Sequence, residues 1–215
     1  MELLSIVTAR SVFLFEVDSL DPFGKRSAAE AVMELRNRYG FASVPESLSN
    51  VDNNQGAAFS SGRLGDIVID KLTLFSNGVV VDTRSSTENA EAIANDLLDI
   101  SREVLGSKAV VGRKHFVSQV TFKSKMQLSR MNPILAEIGE QIRQSLGSSM
   151  HQEYAVDTFG VTIQVDETQA RILPAKFVIA RRADAAYFED TYFSSAPLRT
   201  GLHLELVGKF EASIL

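Results

Sequence analysis

The sequence predicts an α+β protein built from a duplicated unit of strand, helix, antiparallel strands and helix. Three observations predict it. The same order of elements runs before about residue 107 and again after it, capped amphipathic helices begin near residues 27 and 132, and an Asn-Gly pair at 77–78 separates two β-forming runs. The halves 1–107 and 108–215 are expected to pack as one globular domain with a pseudo-two-fold relation. Helices would lie on one face of a shared, curved antiparallel sheet.

In the first half, residues 11–17 form a strand candidate with apolar side chains on both faces, as a central strand requires. Ser27-Ala-Ala-Glu30 is a capping-box pattern, and Val32, Leu35 and Tyr39 share one face of a helix over 27–40 that Gly40 ends. Residues 41–66 are rich in Ser, Asn and Gly. A structureless stretch of that length is uncommon inside a compact domain, so an extra strand is expected over 57–63. The runs 67–76 and 79–84 then flank Asn77-Gly78, which selects a two-residue type I′ turn because both central residues need positive φ. That turn pairs Ser76 with Val79, Leu74 with Val81 and Leu72 with Thr83, with Val68 also on the core face. It sets Lys71 opposite Arg84. After the N-cap candidates at 85–87, Ala90, Ile93, Leu97, Ile100 and Val104 repeat with helical spacing until Gly106, giving a helix over 88–105.

The second half opens with a strand over 115–123, in which Phe116, Val120 and Phe122 face the core and His115, Gln119, Thr121, Lys123 and, just past it, Lys125 face outward. Asn132-Pro133 supplies an N-cap and a first-turn proline for a helix whose stripe is Ile134, Ile138, Ile142 and Leu146, ending at Gly147. Val161, Ile163 and Val165 alternate with polar residues before a turn near 167–169, and 175–182 returns as a more buried strand. Residues 187–193 add a strand candidate. From Thr200 the tail fits a strand by alternation or a helix by the spacing of Leu202, Leu206, Phe210 and Ile214, and the helix sustains its period longer.

This order of elements is similar to the strand-helix-strands-helix unit of the TATA-box-binding-protein-like fold, duplicated. The resemblance is one of topology across nearly the whole chain, without a shared motif, so it implies a fold and no function. The DNA-binding member of that class is basic, whereas this chain carries 22 Lys and Arg against 27 Asp and Glu, a net charge of −5.

Composition excludes more than it assigns. With no cysteine, disulfides, thiolate metal sites and Cys nucleophiles are absent, in agreement with a reducing compartment. No apolar run approaches the length of a membrane span, and Glu2 stands where a secretory signal carries Lys or Arg, so the expected address is cytoplasmic, with no membrane partner. No GxSxG, P-loop or GxGxxG arrangement occurs. The histidines at 115, 151 and 203 lack ligand partners at metal-like spacing. Glu189-Asp190 and Asp166-Glu167 are adjacent carboxylates that diverge in a strand, where acid-base catalysis needs convergence. No catalytic, cofactor or metal site is therefore expected, and the chain leans away from an enzyme.

Charge patterning supplies the candidate sites. Residues 1–107 hold 9 Lys and Arg against 16 Asp and Glu, and 108–215 hold 13 against 11. No acid lies between Glu103 and Glu137, a stretch that contains Arg113, Lys114, His115, Lys123, Lys125 and Arg130. These six form the candidate partner-binding stripe, although lysine on an edge strand also serves to prevent aggregation. The secondary candidates are Lys71, Asp82 and Arg84, where the acid would relieve the like-charge pair. The expected function is a non-enzymatic binding or assembly module that acts through an open sheet face or edge and associates with a protein partner or a second copy of itself. The alternatives are nucleic-acid binding through the basic 108–130 stretch, disfavoured by the acidic total, and a small-molecule-binding or hydrolytic protein with a pocket between sheet and helix.

Overall fold

The computed structural model describes residues 1–21, 24, 27–46, 54–150, 155–166, 168 and 174–215. Along the chain the elements are β1 (Glu2–Leu14), α1 (Ala28–Tyr39), β2 (Ala57–Leu64), β3 (Ile67–Phe75), β4 (Gly78–Thr83), α2 (Thr87–Ile100), β5 (Arg113–Lys123), α3 (Pro133–Met150), β6 (Gly160–Ile163), β7 (Phe177–Arg181), β8 (Thr191–Ala196) and α4 (Thr200–Ile214). The fold is mixed α/β, and the strands form one open antiparallel sheet in the order β2-β3-β4-β1-β5-β8-β7-β6. Two compact units divide the chain: one of residues 6–118 with 197–200, the other of 1–5, 119–196 and 201–215.

The unit of residues 6–118 holds a core of Phe13, Phe41, Phe59, Ile69, Leu72, Val81 and Ile93, all at most 2% exposed. α1 starts where expected, because Ser27 accepts from the Glu30 amide while the Glu30 carboxylate accepts from the Ser27 amide, and Gly40 closes it in the left-handed conformation (φ 61°). Such a box contributes about 1 kcal/mol. Asp96 of α2 ties the two helices together, receiving Arg38 at 2.6 Å and the Tyr39 hydroxyl at 2.8 Å. α2 is capped by Ser86 and ends in a π turn at Ser101–Leu105.

Three expectations here need correction. β1 runs from Glu2 to Leu14 rather than over 11–17, and Val17 opens a 3₁₀ turn. Its first residues are mostly exposed on both faces, so no burial period betrays them in the sequence. The β3–β4 hairpin pairs Phe75 with Gly78, Leu74 with Val79 and Leu72 with Val81, which makes Ser76 and Asn77 the loop. Asn77 therefore does not adopt the positive φ of a type I′ turn. Gly78 is required for another reason: its φ is +151° and a Cβ there would lie 2.1 Å from the Phe13 carbonyl oxygen on β1. The shifted register sets Lys71 opposite Asp82, so the expected Lys71–Arg84 pair does not form. Finally, Val68 is 52% exposed and Ile69 fully buried. Ser61 (φ 56°) interrupts the β2–β3 ladder between Ser60↔Lys71 and Gly62↔Ile69, and the alternation of faces changes phase there.

In the unit containing 119–196 and 201–215, Val120, Phe122, Ile179, Tyr192, His203 and Val207 are fully buried. The Tyr192 hydroxyl donates to the Met126 carbonyl at 2.7 Å, and its ring stacks on Phe122. The tail is helix α4, and β8 follows a short 3₁₀ turn at Tyr187–Glu189 rather than filling 187–193. The turn expected near 167–169 lies largely outside the described residues. α3 begins at Pro133 with Asn132 Oδ1 accepting from the Ile134 amide, but it runs through Gly147 to Met150. Its stripe is not core: Ile134, Ile138 and Ile142 are 61%, 47% and 45% exposed.

Candidate interaction surfaces

The six basic candidates do not form one patch within either unit. Arg113, Lys114 and His115 belong to the unit of residues 6–118, and Lys123, Lys125 and Arg130 to the other. Successive strand residues point to opposite faces, so Lys114 and His115 diverge. Lys114 points toward α2, where its Nζ lies 3.0 Å from Glu91 and 4.4 Å from the centre of the Phe13 ring. Arg199 meets the other Glu91 oxygen at 2.5 Å and lies over Phe116 at 4.4 Å. Burial pushes the Glu91 carboxyl upward, but hydrogen bonds from Arg199 and Lys114 outweigh it and hold its pKa below the ordinary value. Lys114 is thus committed to a structural ion cluster. His115 is half-buried with its Nε2 buried and without a hydrogen-bond partner among the described residues, and Arg113 is exposed beside a surface groove with Leu14, Phe15 and Val110.

In the other unit Lys123 and Lys125 are exposed and Val120 and Phe122 are buried, but Thr121, expected to face outward, is 3% exposed, and Lys125 lies beyond the end of β5, so strand parity does not place it. Both line a groove of about 540 Å³ with Ser124, Glu189, Asp190 and Glu211. The acids missing from 104–136 are therefore supplied in space by residues far along the chain. Glu211 is 7% exposed and accepts from the Ser124 hydroxyl and the Met1 amino group, each at 2.6 Å. Arg130 donates to the Leu215 carbonyl at 3.0 Å. A neighbouring polar groove brings Lys125 and Arg181 together with Asp157 and Asp190.

The secondary candidates are also compensated. Asp82 accepts a bidentate pair from Arg10 at 2.6 and 2.9 Å, and Lys71 is its cross-strand neighbour. Arg84 turns instead to Asp70 at 2.9 Å. Leu72 and Val81 are in the core, so Lys71 and Asp82 lie on the opposite face of the sheet. Exposed pairs of this kind contribute at most about 1 kcal/mol each.

Two features escaped the sequence. Ser194 Oγ lies 2.8 Å from His203 Nε2 in the core, a contact that resembles a nucleophile and its base. The serine proton is directed elsewhere: Ser194 donates to the Val178 carbonyl at 2.7 Å. Its oxygen therefore accepts from Nε2–H, and the buried Nδ1 is left without a partner among the described residues. Burial lowers the His203 pKa to about 4, and the pair holds β8 against α4. No group of three or more His, Asp or Glu among the described residues could hold a metal. No helix among them is long and apolar enough to cross a membrane.

The second feature is apolar. Beside the exposed stripe of α3, Phe159, Ile163 and Val165 on and around β6 are 60%, 63% and 49% exposed. Phe159 shares a groove of about 470 Å³ with Ile142, Leu146 and Val156, so the later part of the α3 stripe and the residue just before β6 line one groove. Helical spacing marked the stripe in the sequence, and nothing local marked it as uncovered. Neither a protein-family model nor a curated protein matches the chain.

Proposed function

We propose that this protein is a non-enzymatic binding or assembly module that self-associates through the apolar surface made by α3 and the sheet edge at β6. The observation that carries the reading is the exposure of Ile134, Leu135, Ile138, Ile142, Phe159, Ile163 and Val165 in one unit, between 40% and 63% each. From those fractions the seven residues together leave about 700 Å² in contact with water, where a single contiguous apolar patch on an ordinary monomer reaches ~300–600 Å². The Lys123 and Lys125 groove enters the same proposal as a second contact for an acidic protein surface. Nucleic acid is the weaker candidate there, since Glu189, Asp190 and Glu211 line that groove.

The fold reading that accompanies this proposal is the duplicated, TATA-box-binding-protein-like unit with helices on one face. Its support is that β1-α1-β2-β3-β4-α2 and β5-α3-β6-β7-β8-α4 repeat one order, and that the strand order reads the same from either edge. The cysteine-free composition accords with a cytoplasmic address.

Ile138→Lys with Ile142→Lys tests the function. Both positions are already about half exposed, so the folded monomer should lose less than about 0.5 kcal/mol. The variant should elute as a monomer at concentrations where the wild type elutes larger. Identical elution of a folded variant and a self-associated wild type would remove α3 from the interface.

A further inference from the structure

β6 is the last strand of the sheet, and its ladder with β7 fixes which way its amides point. The Arg181 amide donates to the Phe159 carbonyl at 2.9 Å, and the paired positions Val161↔Ile179 and Ile163↔Phe177 follow at steps of two. In an antiparallel pair such positions exchange both their hydrogen bonds, so odd-numbered residues direct N–H and C=O toward β7. Gly160 and Thr162 direct theirs outward. Side chains alternate independently of this. Phe159, Val161 and Ile163 share the face of Ile179, which is fully buried, and Phe159 meets the groove lined by α3.

This arrangement is self-complementary. If a second copy approaches antiparallel with Val161 on the two-fold axis, Gly160 of each copy faces Thr162 of the other, and both outward pairs exchange their bonds. The same register sets Phe159 opposite the partner's Ile163 and Val161 opposite the partner's Val161. Apolar residues thus meet apolar residues at positions 159, 161 and 163. A shift of the axis to Gly160 keeps the backbone bonds but sets Ile163 opposite Asp157, and a shift to Thr162 sets Phe159 opposite Val165, two residues beyond the end of β6, so the axis at Val161 is the one that keeps the apolar pairs within 159–163.

We propose that two copies join by antiparallel pairing of β6 with β6, centred on Val161, so that the sheet continues from one copy into the next and the two α3 stripes close over the joint. The proposal rests on the self-association reading above and names its geometry. The occupant is a second copy because the strand satisfies its own edge, and because the roughly 700 Å² exposed by the seven apolar residues approaches the ~800 Å² per partner of a standard stable interface.

Cysteine placement tests the register directly, since the chain contains none of its own. Facing residues of a non-hydrogen-bonded antiparallel pair have Cα atoms about 4.5 Å apart, within the span a disulfide bridges. Val161→Cys under mild oxidant should therefore give covalent dimer at least tenfold faster than Phe159→Cys or Ile163→Cys alone. Mixing the latter two should restore crosslinking, because each then faces the other. Thr162→Pro removes an outward N–H that the β7 ladder does not use, and should return a folded protein to monomer mass. A dimer by light scattering that crosslinks equally at 159, 161 and 163, or not at 161, would overturn this register while leaving self-association standing. Monomer mass for the reduced Val161→Cys protein and the wild type alike would overturn both, and would assign the surface to a different protein.

Discussion

His203 makes stability depend on pH in a way the structure allows to be calculated. Its ring is fully buried between β7, β8 and α4, its contacts being Ser194 Oγ at 2.8 Å and the Phe177 ring edge-on at 6.1 Å. Burial alone lowers its pKa from 6.5 to about 4. The folded state therefore excludes a proton that the unfolded chain accepts. Stability from this group is complete above pH 6.5 and is lost as the pH falls, at up to ~1.4 kcal/mol per unit, until the folded state also protonates near pH 4. Over the whole window the loss is about 3 kcal/mol, a large share of a typical domain's stability. Other carboxylates also titrate there, so the measurement is a difference. Urea unfolding of wild type and His203→Leu at steps from pH 7.5 to 4 isolates the histidine, leucine being a helix former of similar volume. The gap between the two curves should change by about 3 kcal/mol across the window, in favour of the variant at low pH. A gap that stays constant would refute the buried neutral imidazole and the proton assignment at Ser194.

Gly78→Ala should destabilise the protein by at least about 2 kcal/mol, because the added Cβ meets the Phe13 carbonyl oxygen and φ is positive; an unchanged melting temperature would show that β1 does not approach the turn as described. Thr87 and Thr200 cap each other, with each hydroxyl oxygen accepting from the other residue's amide at 3.0 and 2.8 Å. Thr87→Val and Thr200→Val should each cost about 1 kcal/mol or more by chemical denaturation, and the double variant should show non-additivity of that order; strict additivity would deny the reciprocal cap. Lys123→Glu with Lys125→Glu should leave folding intact and weaken association more at low salt than at high salt in pull-down and light-scattering assays. Equal behaviour at both salts would return those lysines to simple solvation.

What the sequence disclosed is what is local. The Ser27 box, the α2 period, the Asn132-Pro133 start and the helical tail all depend on neighbours within a turn or two, and all stand in the structure. The hairpin shows where local reasoning stops. Asn-Gly favours a type I′ turn in isolation, but β1 approaches Gly78 so closely that the position without a Cβ becomes the end of a strand. The basic stretch is similar. A window of 33 residues without acids reads as positive, yet Glu91, Glu189, Asp190 and Glu211 reach the same lysines from elsewhere in the chain. For α3, periodicity identified which residues form a stripe, and only the packing of the unit reveals that the stripe faces water. The partnership of His203 with Ser194 left no trace either, because strand and helix bring together residues that carry no motif.

Molecular mass as a function of concentration tests the central claim most directly. Light scattering or sedimentation equilibrium of the wild type should approach twice the monomer mass of 23.6 kDa as concentration rises, and Thr162→Pro and Ile138→Lys/Ile142→Lys should hold it at the monomer value. A wild type that remains at 23.6 kDa at the highest attainable concentration would contradict self-association through α3 and β6.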